Sequence, residues 1–156
     1  MAVEIERKFL VRGDEWRQAK PVRISQGYLN RDKDRTVRVR IAGSLAYLTV
    51  KGRTRGISRS EFEYAIPIAD AEQLLPLCEG PLIEKYRHVL VYGTTKWEVD
   101  EFLGDNAGLV VAEVELERED QPFDRPAWLL QEVTQDPKYH NSNLSLHPYN
   151  SWAQER

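Results

Sequence analysis

The sequence contains a single cysteine, Cys78, so no disulfide can form within one chain. Disulfides are typical of secreted domains, and the cysteine content therefore gives no indication of an oxidising compartment. The N-terminus also lacks the uninterrupted apolar core of a signal peptide, because Glu4, Glu6 and Lys8 interrupt it. We therefore predict a cytoplasmic protein.

Long apolar runs and an excess of basic residues are also missing. No apolar run approaches the roughly 20 residues that a membrane-spanning helix needs. The 22 lysines and arginines are outnumbered by 25 aspartates and glutamates, which gives a formal net charge of −3. Nucleic-acid-binding domains usually carry a basic face. We therefore expect neither a membrane nor a nucleic acid as a partner, and any bound anion must be held by a local cluster of basic side chains.

Two common nucleotide-binding motifs are absent, the phosphate loop G-x-x-x-x-G-K-[ST] and the dinucleotide fingerprint G-x-G-x-x-G. The sequence also has no internal repeat, low-complexity tract or linker. A chain of 156 residues, 41% hydrophobic and 30% charged, has the size and composition of one globular domain. We predict a single domain over residues 1–156.

Alternation of apolar and polar residues with period two, which is typical of β-strands, dominates the sequence. The predicted strands are 3–12, 22–30, 36–42, 45–51, 60–66, 82–92, 95–103 and 109–117. A short helical turn is predicted around 14–19, a helix over 70–79 with Asp70 as its N-cap, and a second helix near 125–133. This pattern predicts a mainly β (α+β) fold with an antiparallel sheet and a few helices packed outside, and eight strands can close into a barrel that has no exposed edge.

Charged residues recur at every second position in most of these strands, so that like charges share a face. They are Glu4, Glu6 and Lys8, Arg38 and Arg40, Lys51, Glu61 and Glu63, Lys85 and Arg87, Glu98 and Asp100, and Glu113, Glu115 and Glu117. Like charges at this spacing repel each other. One interpretation is a solvated outer face with cross-strand ion pairs, each worth only about 0–1 kcal/mol.

The other interpretation closes the sheet with its charged faces inward and its apolar faces outward. A charged interior is costly unless counter-ions occupy it. The acidic columns would then hold divalent cations, and the basic columns would hold an anion of high charge density. Magnesium favours one or two carboxylates together with substrate phosphates and waters, so the pattern suits a metal-bound polyphosphate.

The segment Glu4-Ile5-Glu6-Arg7-Lys8 resembles the ExExK signature of the CYTH, or triphosphate tunnel metalloenzyme, superfamily. The resemblance continues, in the family's order, through Arg38-Val39-Arg40, Thr49-Val50-Lys51, Glu61-Phe62-Glu63, Lys85 with Arg87, Asp100, and Glu113-Val114-Glu115. It covers about residues 2–117, and residues 136–144 resemble the ending of the bacterial branch. The resemblance implies an eight-stranded antiparallel barrel with the active site inside a tunnel.

By position, the resemblance also implies roles for these residues. The implied triphosphate ligands are Lys8, Arg38, Arg40, Lys51, Lys85 and Arg87. The implied ligands of Mg²⁺ or Mn²⁺ are Glu4, Glu6, Asp100, Glu113 and Glu115, with Glu61 and Glu63 as further members of the acidic shell. The candidate catalytic residues are Glu4, Glu6, Lys8, Lys85 and Tyr28. The phenol of Tyr28 could reach Lys85 or a phosphate, or it could be a core tyrosine bonded to backbone.

The short chain resembles the bacterial inorganic triphosphatases, so the expected activity is metal-dependent hydrolysis of tripolyphosphate to diphosphate and phosphate. A class IV adenylate cyclase and a thiamine or nucleoside triphosphatase stay open, as does a non-catalytic polyphosphate-binding module. The complete set of acidic residues argues against the non-catalytic module, because binding alone would not need so many carboxylates near an anion. The oligomeric state, including a homodimer, also stays open. His88, His140 and His147 show no metal-ligand spacing and are interpreted as structural or surface residues.

Overall fold

The computed structural model describes residues 3–155, with side chains described for residues 3–152. The predicted domain also included Met1, Ala2 and Arg156, which lie outside the described residues. The strands are β1 (Val3–Val11), β2 (Val22–Asn30), β3 (Arg35–Ala42), β4 (Leu45–Arg55), β5 (Ser58–Ile66), β6 (Glu79–Tyr92), β7 (Thr95–Phe102), β8 (Val110–Glu115) and β9 (Leu129–Glu132).

Strands β1 to β8 close into an antiparallel barrel, as the sequence predicts. Neighbouring strands follow the order β5-β4-β3-β2-β6-β7-β8-β1, and β5 pairs with β1 to complete the ring. The closing ladder is short and pairs Val3 with Ser60, Glu4 with Arg59 and Ile5 with Ser58. Strand β9 pairs with the other end of β1, where Val11 lies opposite Leu129.

The predicted helix near residues 125–133 is wrong, because this segment contains the strand β9. The reason lies in β1, whose pairing with β5 stops at Ile5. Backbone groups beyond that point need hydrogen-bond partners, and the last strand and the residues after it provide them. The amide of Val133 donates to the carbonyl of Lys8 over 2.8 Å, and Arg7 forms an ion pair with Glu132.

The other predicted helical segments are also corrected. Helix α1 (Ile68–Leu74) begins two residues before Asp70, so Asp70 lies inside the helix and Pro67 is the N-cap. A 3-10 turn follows over Leu75–Leu77, and residues 14–19 form turns rather than a helix. Helix α2 (Asn141–Leu146) was not predicted. None of the helices within residues 3–155 is long and apolar enough to cross a membrane.

The apolar faces of the strands point away from the barrel axis and pack under the segments that cover it. The largest such cluster surrounds the fully buried Trp97, whose ring makes edge-to-face contacts with Phe9 and Trp128 at centroid distances of 5.7 and 5.9 Å. Burial of each large apolar side chain contributes about 1.5–3 kcal/mol. The hydrophobic core therefore lies outside the barrel, and the interior is left for charged side chains.

Gly27 in β2 shows how closely the covering segments pack. A Cβ atom added to Gly27 would lie 2.6 Å from Cδ2 of Leu82 and 2.9 Å from Sγ of Cys78. We expect Gly27→Ala to lower the free energy of unfolding by about 1–3 kcal/mol, measured by urea denaturation, because overpacking strains the neighbours. Leu82→Ala removes the closest atom, so the same glycine substitution should cost less in that background. An equal cost in both backgrounds would contradict this explanation.

Candidate active site

A cavity of about 290 Å³ occupies the interior of the barrel. Nearly every residue that the sequence singled out lines it. The lining includes Glu4, Glu6, Lys8, Tyr28, Arg38, Arg40, Lys51, Glu61, Glu63, Lys85, Arg87, Glu113 and Glu115. These side chains come from seven strands, β1 to β6 and β8, and they meet because every second residue of a barrel strand points inward.

On the acidic side of the cavity, the carboxylates outnumber the two lysines that pair with them. Lys51 donates to Glu4 at 3.0 Å and lies 3.3 Å from Glu61. Lys8 lies 3.7 Å from Glu6 and 3.6 Å from Glu113. The attraction of Glu113, Glu6 and Glu4 outweighs the effect of burial and raises the pKa of Lys8, so this ammonium group stays charged.

The crowded carboxylates make this side suitable for a divalent cation. Burial, followed by the neighbouring Glu4, Glu6 and Glu98, raises the pKa of Glu115. Burial also raises the pKa of Glu4 against the lowering effect of Lys51, and Glu61 adds to the rise. Within residues 3–152, no three acidic, histidine or cysteine side chains form a ready-made metal cage. The donor set therefore fits an ion that takes a few carboxylates and completes its shell with phosphate and water, as Mg²⁺ does.

On the basic side, Arg40 is half-buried and has no carboxylate partner among the described residues. Its Nε donates 2.7 Å to the side-chain oxygen of Gln26. Burial lowers the pKa of Arg40 to about 9, and the positive charges of Arg38 and Arg87 contribute to the shift. A guanidinium with this pKa is still charged at neutral pH, so the cavity wall holds a cation with no carboxylate in direct contact among the described residues.

Arg38 is also incompletely paired. Its Nη2 lies 3.3 Å from the hydroxyl of Thr49 and 3.6 Å from a carboxylate oxygen of Glu63. Its Nε is buried and has no hydrogen-bond partner. Buried donors without partners are rare in folded proteins and usually mark the place of a missing ligand, ion or water. Arg38 and Arg40 thus present incompletely paired donors to the cavity, an arrangement that suits an anion.

The deepest part of the cavity is at Lys85, whose side chain is only 1% exposed. Its Nζ lies 2.7 Å from Asp100, which also accepts two hydrogen bonds of 2.8 and 2.9 Å from Arg87. Burial lowers the pKa of Lys85 to about 7, helped by Arg87 and Arg40 and opposed by Asp100. Burial also disfavours ionised Asp100, but Arg87 and Lys85 outweigh it and hold the pKa of the carboxyl well below its usual range. Asp100 differs from the other predicted site residues because it lies behind the cavity wall, bonded to these two cations.

Comparison with known proteins agrees with this arrangement. Residues 2–148 match the sequence model of the CYTH domain. The chain belongs to the CYTH family. Among its relatives, the inorganic triphosphatase of Acetivibrio thermocellus is 51% identical over 156 residues, which is 99% of this chain and 100% of that protein. The inorganic triphosphatase of Nitrosomonas europaea is 38% identical over 148 residues, 92% and 97% of the two chains.

A solved structure supports the same assignment. The crystal structure of the inorganic triphosphatase NE1496 superposes on this CYTH protein with a TM-score of 0.67 at 35% sequence identity. The match covers 94% of this chain and 96% of that one. The resemblance in the sequence and the closed barrel are therefore both confirmed.

The CYTH cavity also contains residues that the sequence analysis missed. Arg59 lines the wall opposite Glu4 in the closing ladder, and its position two residues before Glu61 could have revealed it. Thr134 and Gln135 reach the wall from the segment after β9. His140, interpreted from the sequence as a structural or surface residue, also lines the cavity, and burial lowers its pKa to about 4.

Tyr28 lies in the cavity wall, where its hydroxyl is 3.4 Å from the side-chain nitrogen of Gln26. The guanidinium of Arg31 lies over its ring at 5.3 Å. The phenol thus faces side chains of the CYTH interior. Within the described residues, no hydrogen bond joins it to Lys85.

Proposed function

We propose that this protein hydrolyses inorganic tripolyphosphate to diphosphate and phosphate with the help of a divalent cation. The observation that carries the proposal is the pairing, across one buried cavity, of partly unneutralised arginines with a crowded group of carboxylates. A short polyanion bound to metal ions satisfies both groups at once. The two relatives named inorganic triphosphatase support the proposal.

The size and chemistry of the cavity favour an inorganic substrate over a nucleotide. Pockets for drug-sized ligands usually measure about 300–1,000 Å³ and are mainly apolar and aromatic. This cavity has a volume near the lower end of that range, and Tyr28 and His140 supply the only rings among its described lining residues. A nucleotide base or the thiazole ring of thiamine would gain little binding free energy from a wall made mostly of charged groups.

In the proposed complex, basic residues bind the phosphate oxygens and carboxylates hold the metal. The phosphate ligands would be Lys8, Arg38, Arg40, Lys51, Lys85 and Arg87, and Arg59 joins them by position. The metal ligands would be drawn from Glu4, Glu6, Glu61, Glu63, Glu113 and Glu115. When bound there, Mg²⁺ or Mn²⁺ would act as a Lewis acid and stabilise the negative charge that develops on the phosphates.

The protein's own contribution to the reaction is mainly positioning and charge. Phosphoryl transfer passes through a loose transition state in most analyses, so a preorganised electrostatic environment supplies much of the acceleration. Water attacks a terminal phosphorus, the bond from that phosphorus to the bridging oxygen breaks, and diphosphate leaves. We propose that Glu4 or Glu6 takes the proton from water. Lys8 and Lys85 then stabilise the charge on the oxygens, and Tyr28 helps to orient a phosphate.

The test is to incubate the pure protein with tripolyphosphate, ATP or thiamine triphosphate, each with Mg²⁺ or Mn²⁺. Phosphate and cyclic AMP are assayed separately. We expect phosphate release mainly from tripolyphosphate, and none after thorough chelation with EDTA. Cyclic AMP from ATP would identify a cyclase instead, and binding of tripolyphosphate without turnover would identify a binding module. Full activity after chelation would remove the metal from the proposal.

A further inference from the structure

Gln26 in β2 is fully buried next to the basic side of the cavity. Its side-chain oxygen accepts a 2.7 Å hydrogen bond from Nε of Arg40. Its amide nitrogen donates to the side-chain oxygen of Asn141 over 3.2 Å and to the hydroxyl of Tyr28 over 3.4 Å. Arg40, Asn141 and Tyr28 all line the cavity, whereas Gln26 is not among the described lining residues. One buried amide thus connects three side chains that face the ligand.

The orientation of each amide in this network is determined from both ends, because guanidinium and ammonium groups only donate hydrogen bonds. Arg40 requires an oxygen on Gln26, so the NH2 group of Gln26 faces Asn141. At the other end, Nζ of Lys85 lies 2.8 Å from the side-chain oxygen of Asn141 and requires that oxygen there. Both requirements agree with the single bond from Gln26 to Asn141. A side chain at position 26 must therefore offer an oxygen to Arg40 and an N–H group to Asn141, as an amide does.

A neutral acceptor also leaves the charge of Arg40 unopposed, and Arg87 in the same cavity shows the contrast. Arg87 donates two hydrogen bonds of 2.8 and 2.9 Å to the carboxylate of Asp100. Within residues 3–152, Arg40 has no ion pair, and its only hydrogen bond is the one from Nε to Gln26. The four N–H groups on its two Nη nitrogens are left for an anion, which a guanidinium can bind through two parallel bonds.

We propose that Gln26 is a positioning residue that presents the Nη nitrogens of Arg40 to a phosphate of the substrate without neutralising the arginine. The inference rests on the proposed function and deepens it by one residue outside the cavity lining. A carboxylate at position 26 would still hold Arg40 but would offset its charge. It would also place an oxygen against the oxygen of Asn141, and reversal of the Asn141 amide would place an NH2 group against Lys85.

The first test is Gln26→Glu, which keeps the size of the side chain and an acceptor for Arg40. We expect kcat/KM for tripolyphosphate to fall about 10²-fold, close to the cost of removing a preorganised donor. A merely structural role predicts wild-type activity instead, because a charge-assisted bond to Arg40 is stronger than a neutral one. Ser25→Ala is the matched control, since Ser25 adjoins Gln26 in β2 but bonds to Glu84, and neither is among the described lining residues. It should change kcat/KM by less than about twofold.

The second test is a double-mutant cycle of Gln26→Met with Arg40→Ala. Methionine has a similar length but forms neither amide bond, so Arg40 loses its orientation, and we expect kcat/KM to fall about 10- to 10²-fold. In the Arg40→Ala background the same substitution should cost less than about threefold, because Asn141 keeps its shorter bond to Lys85. Calorimetric titration with tripolyphosphate in EDTA measures the same coupling without turnover.

Wild-type kcat/KM in Gln26→Glu would overturn the proposal, and so would equal losses from Gln26→Met in the two backgrounds. Urea denaturation checks that each variant is folded, and should Gln26→Met not fold, the result for Gln26→Glu decides. If the wild type binds but does not hydrolyse tripolyphosphate, the proposed function fails, and the coupling in affinity between Gln26 and Arg40 still decides the present inference.

Discussion

Replacement of Arg40 by alanine is expected to lower kcat/KM for tripolyphosphate by about 10²- to 10³-fold, the usual cost of removing one preorganised donor. Arg40 is half-buried, lines the cavity and has no carboxylate partner among the described residues, so its charge is available to the substrate. The same feature predicts an unusual stability effect. Because Arg38 and Arg87 repel it, the free energy of unfolding without ligand should not fall. Steady-state kinetics and urea denaturation measure the two effects.

The matched control for this prediction is Arg35→Ala. Arg35 lies in the same strand, β3, but its side chain is 75% exposed and pairs with Asp32. We expect its removal to change kcat/KM by less than about twofold, because exposed ion pairs contribute about 0–1 kcal/mol. A large loss of stability in Arg40→Ala would show that this arginine supports the fold, and an activity within threefold of the wild type would remove it from the proposed phosphate site.

The charged interior was predictable because two independent features of the sequence agree. Alternation gives the strands, and the sorting of like charges onto one face allows either a solvated face or an interior with counter-ions, of which the CYTH resemblance favours the second. Glu4 with Glu6 and Arg38 with Arg40 are examples. Eight strands can close into a ring, and closure brings all of these faces to one axis. The sequence could thus predict both the barrel and most of its cavity lining.

The segment after β8 was less predictable because tertiary contacts determine its structure. The apolar residues of the segment 125–133 led to the prediction of a helix. Residues 129–132 form a strand instead, because they pair with the end of β1 that β5 leaves unpaired. Residues 140–142 carry no periodic pattern, and their contribution to the cavity depends on the bonds of Arg31 and Lys85 to them. Such contacts join parts of the chain that are far apart in sequence, and alternation cannot reveal them.

Asp100 illustrates a different limit of sequence reasoning. Its strand position predicts an inward carboxylate, and in the structure the side chain is buried against Lys85 and Arg87 and does not line the cavity. A carboxylate can bind a metal ion or neutralise a neighbouring cation, and the sequence does not distinguish the two. The three hydrogen bonds or ion contacts to Lys85 and Arg87 favour the second role.

Asp100→Asn tests that role, and we expect it to lower the free energy of unfolding by about 3–5 kcal/mol, because two buried cations lose their counter-charge. Added tripolyphosphate should recover part of this loss, since a ligand that binds the folded state stabilises it by mass action.

The dependence of the free energy of unfolding on acidic pH should change as well. The pKa of Asp100 is lowered in the folded protein, so its stabilisation is complete above about pH 4 and declines as the pH falls below that value. Asp100→Asn should remove this part of the decline, which urea denaturation between pH 5 and pH 2 would measure.

The competing role predicts a different result from the same variant. If Asp100 were a metal ligand, Asp100→Asn would raise the metal concentration needed for half-maximal activity and leave the stability of the metal-free protein nearly unchanged. Asp120→Asn is the matched control, because the side chain of Asp120 is 86% exposed and pairs with Arg118 at the surface. Asp120→Asn should change the free energy of unfolding by less than about 1 kcal/mol. A large loss of metal-free stability in Asp100→Asn alone would therefore identify Asp100 as the residue that holds Lys85 and Arg87 in position for the substrate.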